Sequence, residues 1–311
     1  MRKWLTIVIV LAGLLLISAY VFLPKKINSA TSKKIGCNIN SLNRFVIEGK
    51  WSKWWPGSVL HDSATNKNIY AFKGYEYIIT GRKYNSVLIQ ITLPDLVVDA
   101  TIFFLPLKDS IQAEWKYSLE TNSNPINKIN LYRVTKNIDS NLREILESMK
   151  DFLESNLKVY GFNVDEMQVK DKILVSTKFS GKEHPTTPEI YKAIDSIKSY
   201  ILAHNAIETN APMLHIWQDS GIYKTTIAIP VNKKIPENNF FSIKRMVPGK
   251  ILVAEVKGGD NTSTEGMRQL GLFVTDNGLS SPAIPFESLV TDRMNEPDTS
   301  KWITKLYYPI F

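Results

Sequence analysis

Two nine-residue segments in the last third of the chain are versions of one another, and this repeat limits the possible folds more than any other feature. Residues 223–231 (YKTTIAIPV) align without gaps on residues 302–310 (WITKLYYPI), 79 positions later. Both begin with an aromatic residue. Thr225 then matches Thr304, Ile227 matches Leu306, Pro230 matches Pro309 and Val231 matches Ile310. The elements before each segment also match. In the first copy a strand over 173–179 leads to a helix with Ile190, Ile194, Ile197, Ile201 and His204 as its apolar stripe. Thr187 suits the cap of that helix, Pro188 its first position and Glu189 its first turn. Strands over 213–217 and 222–229 follow. In the second copy a strand over 251–256 runs through Gly258-Gly259 into a helix. Residues 262–265 (TSTE) open it as a capping box, and Met267, Leu270 and Val274 form its stripe. Strands over 286–290 and 302–308 complete the copy. A βαββ unit used twice buries one face of each copy, which predicts a pseudo-two-fold pair with a groove between its halves.

The chain has 311 residues, long enough for about two domains. Ahead of the repeat, residues 69–72, 75–80, 86–92, 97–104 and 111–119 read as strands. Gly74, Gly81, Pro94-Asp95 and 108–110 (KDS) are the turns between them. A helix over 139–159 then carries Leu142, Ile145, Met149, Phe152 and Leu153 at helical spacing, and Tyr160-Gly161 ends it. The pattern predicts an antiparallel meander wrapped on one long helix. A short helix over 41–48 leads into the cluster Trp51, Trp54 and Trp55. That cluster reads either as a hydrophobic plug or as the wall of an apolar cavity.

Charge is concentrated at the N-terminus. Of a net +8, residues 1–34 supply +6 with no acid, leaving +2 for the rest of the chain. No basic nucleic-acid face is expected on the body. Residues 4–23 (WLTIVIVLAGLLLISAYVFL) are uncharged and, at about 1.5 Å per residue, are long enough to cross a bilayer core of about 30 Å. The sequence therefore predicts a single-pass anchor in a bacterial inner membrane, with residues 24–34 as a polar linker. A cleaved signal peptide is the rival reading, disfavoured by the length of the run and by Leu23-Pro24-Lys25-Lys26 where small residues should stand. Two cations precede the run and four follow it, which leans the body towards the cytoplasm, although signal-anchors also run the other way.

No catalytic residue, metal ligand or cofactor motif stands out. There is no G-x-S-x-G, P-loop, dinucleotide fingerprint or H-E-x-x-H. The four histidines (His61, His184, His204, His215) lack metal-ligand spacing, and the single Cys37 reads as core. Asn261-Thr262-Ser263 is formally a glycosylation site but reads better as part of a helix cap.

Two resemblances add to these readings. The short helix, residues 50–56 (KWSKWWP), the meander and the closing helix resemble the START/polyketide-cyclase-like (SRPBCC) helix-grip superfamily over about 35–160. That resemblance implies a curved sheet gripping a long helix around an apolar cavity, without fixing a chemistry. The duplicated βαββ unit, with residues 247–250 (VPGK), 257–259 (KGG) and Phe286-Glu287, resembles the GyrI-like effector-binding domain over about 165–311. It implies an aromatic-lined cleft for apolar or cationic small molecules. One departure is Lys305, which stands where many members carry an acid. Lys305 would repel cations and favour anionic or neutral ligands, unless Glu255 or Glu287 supplies the charge.

Alternation puts Trp302, Thr304, Leu306 and Tyr308 on one face of the last strand and Ile303, Lys305 and Tyr307 on the other. A buried unpaired lysine is costly, so the Lys305 face is expected to line the groove. The candidate ligand-binding residues are Glu287, Lys305, Tyr307, Trp302, Trp217 and Glu255. The expected chain is α+β: anchor and linker over 1–34, a helix-grip domain over 35–161 and a GyrI-like domain over 162–311. The function it predicts is membrane-anchored binding of hydrophobic small molecules, without direct nucleic-acid contact and with a protein partner for any output. The enzymatic alternative is a hydrolase or cyclase using Glu287 or Glu255 as base and Tyr307 as acid. A third reading is a partner-binding module whose groove is filled by its own side chains.

Overall fold

The computed structural model describes residues 26–63, 65–120, 124–170, 172–281 and 283–310, with residues 4, 7–11, 13, 14, 18 and 24. The chain is α+β with two antiparallel sheets and divides after Ser155 into two compact units. The expected membrane anchor needs correction. Among the described residues no helix is long and apolar enough to cross a membrane. Most of 4–23 lies outside the described residues. An uncharged run supplies the hydropathy of a span, and its described residues form no helix long enough to be one. The inner-membrane placement falls with it.

The first unit is a seven-stranded sheet. Its strands are β1 (Lys26–Ile35), β2 (Ser58–Asp62), β3 (Lys67–Phe72), β4 (Tyr75–Lys83), β5 (Ser86–Leu93), β6 (Leu96–Pro106) and β7 (Ile111–Glu120). They are ordered β1-β7-β6-β5-β4-β3-β2. The meander is the one expected, but two strands are new. β1 occupies most of the expected linker and pairs with β7 over its whole length. Between Ile35 and β2 lie α1 (Ile39–Leu42), a π-helical turn over Asn43–Ile47 and a short turn over Trp51–Lys53. The closing helix α2 (Pro125–Leu153) starts well before the expected residue 139. Asn124 caps it by accepting the Ile126 N–H at 3.0 Å, and Pro125 takes the first turn. Side chains fasten α2 to the sheet. Asp139 accepts from Ser29 at 2.6 Å and from the Tyr117 hydroxyl at 2.9 Å, and Glu154 just beyond the helix accepts the Gly36 N–H at 2.7 Å.

The tryptophans form a plug rather than a row of exposed rings. Trp51, Trp54 and Trp55 are buried with Tyr70, Tyr77 and Trp115. Ring centroids in this cluster lie 4.8–6.4 Å apart. Each of the three indoles donates to a main-chain carbonyl: Trp51 to Val46, Trp54 to Phe45 and Trp55 to Ala71. The area of Trp51, Trp54 and Trp55 is thus buried without stranding the N–H of these three indoles. Cys37 is buried, and burial followed by the charge of Glu154 pushes its thiol up to about 12. It stays protonated and unreactive at neutral pH.

The second unit is an eight-stranded sheet under two helices. Its strands are β8 (Asp165–Gln168), β9 (Ile173–Gly181), β10 (Met213–Asp219), β11 (Ile222–Pro230), β12 (Ser242–Arg245), β13 (Lys250–Lys257), β14 (Phe286–Leu289) and β15 (Ile303–Ile310). Short α3 (Asn156–Tyr160) precedes them, and α4 (Thr187–Ala203) and α5 (Asp260–Asp276) cover the sheet. The strand order is β12-β9-β11-β10-β14-β15-β13-β8. Its six central members read β9-β11-β10 and then β14-β15-β13, so the two βαββ copies meet about an axis between β10 and β14. The repeated segments become β11 and β15, each in the middle of its copy. β8 and β12, which the sequence did not show, extend the two edges.

The helix caps differ from expectation. Thr186, one residue earlier than predicted, caps α4, and its N–H donates to Glu189 at 2.8 Å. α5 begins at Asp260 with Gly259 as cap, so residues 262–265 lie inside the helix and form no capping box. α5 also sits very close to the sheet. A Cβ on Gly266 would stand 2.7 Å from Leu306 Cδ1 and 3.0 Å from Val256 Cγ1. Leu306 is fully buried and has little room to yield. Gly266→Ala is therefore expected to cost about 1–3 kcal/mol by overpacking, read as a lower urea midpoint at unchanged m-value.

Candidate functional site

The centre of the second unit is held together weakly. β10 and β14 pair only through Met213 with Ser288 and Leu214 with Glu287. Beyond Leu214 the two copies diverge, and a cleft of about 470 Å3 opens on the helix side of the sheet. α4 contributes Ile190, and α5 contributes Ser263, Met267 and Gly271. The strands contribute Ile216, Trp217, Glu287 and Tyr308, and Arg293 reaches in from the loop between β14 and β15.

Glu287 and Arg293 dominate the electrostatics. The Glu287 side chain is 20% exposed and the Arg293 side chain 3%. Burial raises the Glu287 carboxyl above its ordinary range, while nearby Arg293 and the Ser263 hydroxyl pull it down less strongly. Arg293 is shared. One terminal nitrogen donates to Asp260 at 2.6 Å, and the other donates to the Thr304 hydroxyl at 2.9 Å and lies 4.0 Å from Glu287. The guanidinium covers the Trp302 ring at 4.8 Å. The Arg293 N–H donates to the Tyr191 hydroxyl at 2.8 Å, and that hydroxyl donates to the Thr291 carbonyl at 3.0 Å. The guanidinium is therefore locked in place before any ligand arrives. It serves two carboxylates, so with Glu287 ionised this trio carries a net negative charge. His215 also borders the cleft; burial lowers its pKa, which keeps the imidazole neutral at neutral pH.

The structure separates the six residues proposed from sequence. Glu287 lies in the cleft, and Trp217, on the Met213 face of β10, borders both the cleft and a cavity on the other side of the sheet. Lys305 and Tyr307 face away from the helices and border a different cavity of about 230 Å3 with Met213 and Phe286. The Lys305 face thus borders a cavity, but not the one that Glu287 borders. Lys305 is half-exposed and lies opposite the exposed Glu255 in the ladder, so its ammonium does not bear the cost of burial. Tyr307 stacks on Phe286 with centroids 4.9 Å apart. Glu255 is exposed on β13 and borders none of these cavities. Trp302 is buried and supports Arg293, with its indole donating to the Glu296 carbonyl at 2.8 Å. Glu287 and Tyr307 sit on opposite faces of the sheet, so that acid–base pair is not assembled, whereas Glu255 shares the Tyr307 face but is exposed.

Tyr308 and Arg293 are among the cleft residues that the sequence reading did not propose for the site. Tyr308 shares a face with Thr304 and Leu306, and alternation would have found it once the buried face was known. Arg293 belongs to an irregular loop and carries no periodic signal.

No family model matches the chain, and neither does any curated protein. Solved structures do resemble it. The EcmrR C-terminal domain is 16% identical, with 48% of this chain and 98% of that one covered at a TM-score of 0.42. A hydrolase from Listeria innocua is 13% identical, covering 47% and 92% at 0.36. SAV2435, determined bound to tetraphenylphosphonium, is 13% identical, covering 48% and 94% at 0.33.

Proposed function

We propose that the second unit is a small-molecule-binding module whose helix-side cleft takes apolar ligands bearing a positive charge or hydrogen-bond donors. One observation carries this reading: Glu287 sits on the cleft wall, largely desolvated, and its nearest cation is already committed to Asp260. A ligand cation would supply the compensation that Arg293 gives only in part. Trp217 and Tyr308 offer ring faces for the apolar body of such a ligand. The symmetric pair of βαββ copies supports the GyrI-like resemblance, and the unit fits an effector-binding role. The β1-β7-β6-β5-β4-β3-β2 sheet with α2 against it supports the helix-grip resemblance of the first unit. There the aromatic plug favours a structural part.

Tetraphenylphosphonium, a lipophilic cation without hydrogen-bond donors, is the first ligand to titrate by calorimetry. Binding is expected, and Glu287→Gln should weaken it about tenfold or more, the scale of one lost charge-assisted contact. The pH dependence has a definite sign. Only ionised Glu287 attracts the cation, and its carboxyl titrates above the ordinary range. Affinity should hold at neutral pH and fall on acidification earlier than a free glutamate would require. Glu287→Gln should flatten that profile. Equal affinity in wild type and Glu287→Gln would sink the reading.

A further inference from the structure

The other face of the same sheet holds a cavity with a different chemistry. It is about 280 Å3 in volume and lies under β9, β10 and β11, closed by β12 and the turn that follows it. Its floor is apolar: Leu174, Met213, Ala228 and Phe286, of which Leu174, Met213 and Ala228 form a small buried cluster. Val247 and Ile284 stand at the mouth, 70% and 62% exposed. Single exposed apolar residues need no explanation, but two at the entrance of an apolar cavity extend it outwards.

The charged residues of this wall are all cations. Lys178, Lys244, Arg245 and Lys250 border the cavity, and no acid does among the described residues. Lys250 is neutralised by Glu166 at 2.6 Å. Lys178, Lys244 and Arg245 form no ion pair among the described residues. Strand register fixes two of them on the cavity face. Lys178 lies opposite Thr226 on β11, and Lys244 lies opposite Leu174 on β9. Burial, and then the charge of Lys178, lower the Lys244 pKa, as expected for two ammonium groups held together without a counterion.

We infer that this cavity is a second ligand site, for a small amphiphilic monoanion: one apolar body ending in a carboxylate that lies between Lys178 and Lys244. At about 280 Å3 the cavity is just below the usual range of ligand pockets, about 300 to 1,000 Å3. That volume suits one short chain or a single ring system and excludes the paired long chains of a phospholipid. The site does not rest on the cleft reading: the two cavities share Leu214, His215, Trp217 and Phe286 along β10 and β14, but the cleft has Glu287 and Asp260 where this cavity has only cations.

The test is calorimetric titration of the full chain with sodium decanoate, with decyltrimethylammonium as the same chain bearing the opposite charge. Decanoate should bind the wild type, and rising salt should weaken it. Lys178→Gln/Lys244→Gln should lower its affinity about tenfold, which is a loss of about 1.4 kcal/mol. Lys178 is exposed and Lys244 half-buried, so glutamine at both positions leaves the packing intact. Thr226→Phe, which fills the cavity from its floor, should abolish binding, with circular dichroism confirming the fold. Glu287→Gln should leave decanoate affinity unchanged, and in that background decyltrimethylammonium should not compete with decanoate. Failure of decanoate to bind, or equal binding to the wild type and the double glutamine variant, would overturn the inference. So would a loss of decanoate affinity in Glu287→Gln, because that would place the ligand in the helix-side cleft.

Discussion

Arg293→Leu is expected to destabilise the second unit by about 3–5 kcal/mol at neutral pH, the usual cost of removing one partner from a buried ion pair. The variant strands Glu287, whose side chain is 20% exposed, more than Asp260, whose side chain is 55% exposed. The two acids therefore predict a pH signature. Arg293 pulls the Glu287 carboxyl down against the larger effect of burial. Without Arg293 that carboxyl rises further above its unfolded value. A carboxyl raised in the folded state leaves stability intact below its unfolded pKa and erodes it as pH climbs through the folded pKa. The deficit of the variant should thus be full at neutral pH and shrink on acidification. Urea unfolding at a series of pH values measures it, and a second change, Glu287→Met, should restore much of the loss at neutral pH. A deficit independent of pH would show that the packing of Arg293 against Trp302, not its charge, is what the unit requires.

Trp51→Ala should cost the first unit about 3–5 kcal/mol, the range for truncating a large buried aromatic. Trp51 is fully buried and touches Trp54, Trp55, Tyr70 and Trp115. Its loss would leave a void at the centre of the plug and the Val46 carbonyl without its indole donor. Since whole domains are stable by only about 5–15 kcal/mol, most of the margin would go. The expected readouts are a collapse of near-ultraviolet circular dichroism and a much lower urea midpoint. A loss below about 1 kcal/mol would mean that the neighbouring rings close over the gap, and would reopen the reading of this cluster as a cavity wall.

Legibility in the sequence followed the chemistry of the inward-facing positions. In β5 the inward residues Val87, Ile89 and Ile91 are apolar and buried, so alternation exposed the strand. In β1 the corresponding positions are Ile27, Ser29, Thr31, Lys33 and Ile35, with Ser29 satisfied by Asp139 of α2. A strand whose inward polar groups find partners only in the folded unit looks like a linker beforehand. The first half of α2 was missed for a similar reason. Residues 125–138 carry a weak apolar stripe, although the Asn124-Pro125 start signal was present. β8 and β12 are four residues each and draw their stability from the edges they extend.

The sequence by itself determined the duplicated βαββ unit, the meander and its closing helix, and the candidacy of Glu287. These are carried by periodicity and repetition, which are local and survive without the fold. Only the tertiary structure decided which face of the last strand meets the cleft. Alternation divides a strand into two faces but is indifferent to which one a helix will cover. The choice turned on α5 packing against Leu306, while Lys305 lies opposite Glu255 in the ladder. Only the fold could bring Arg293 to Glu287, because their contact depends on a loop closing over a strand rather than on any spacing along the chain.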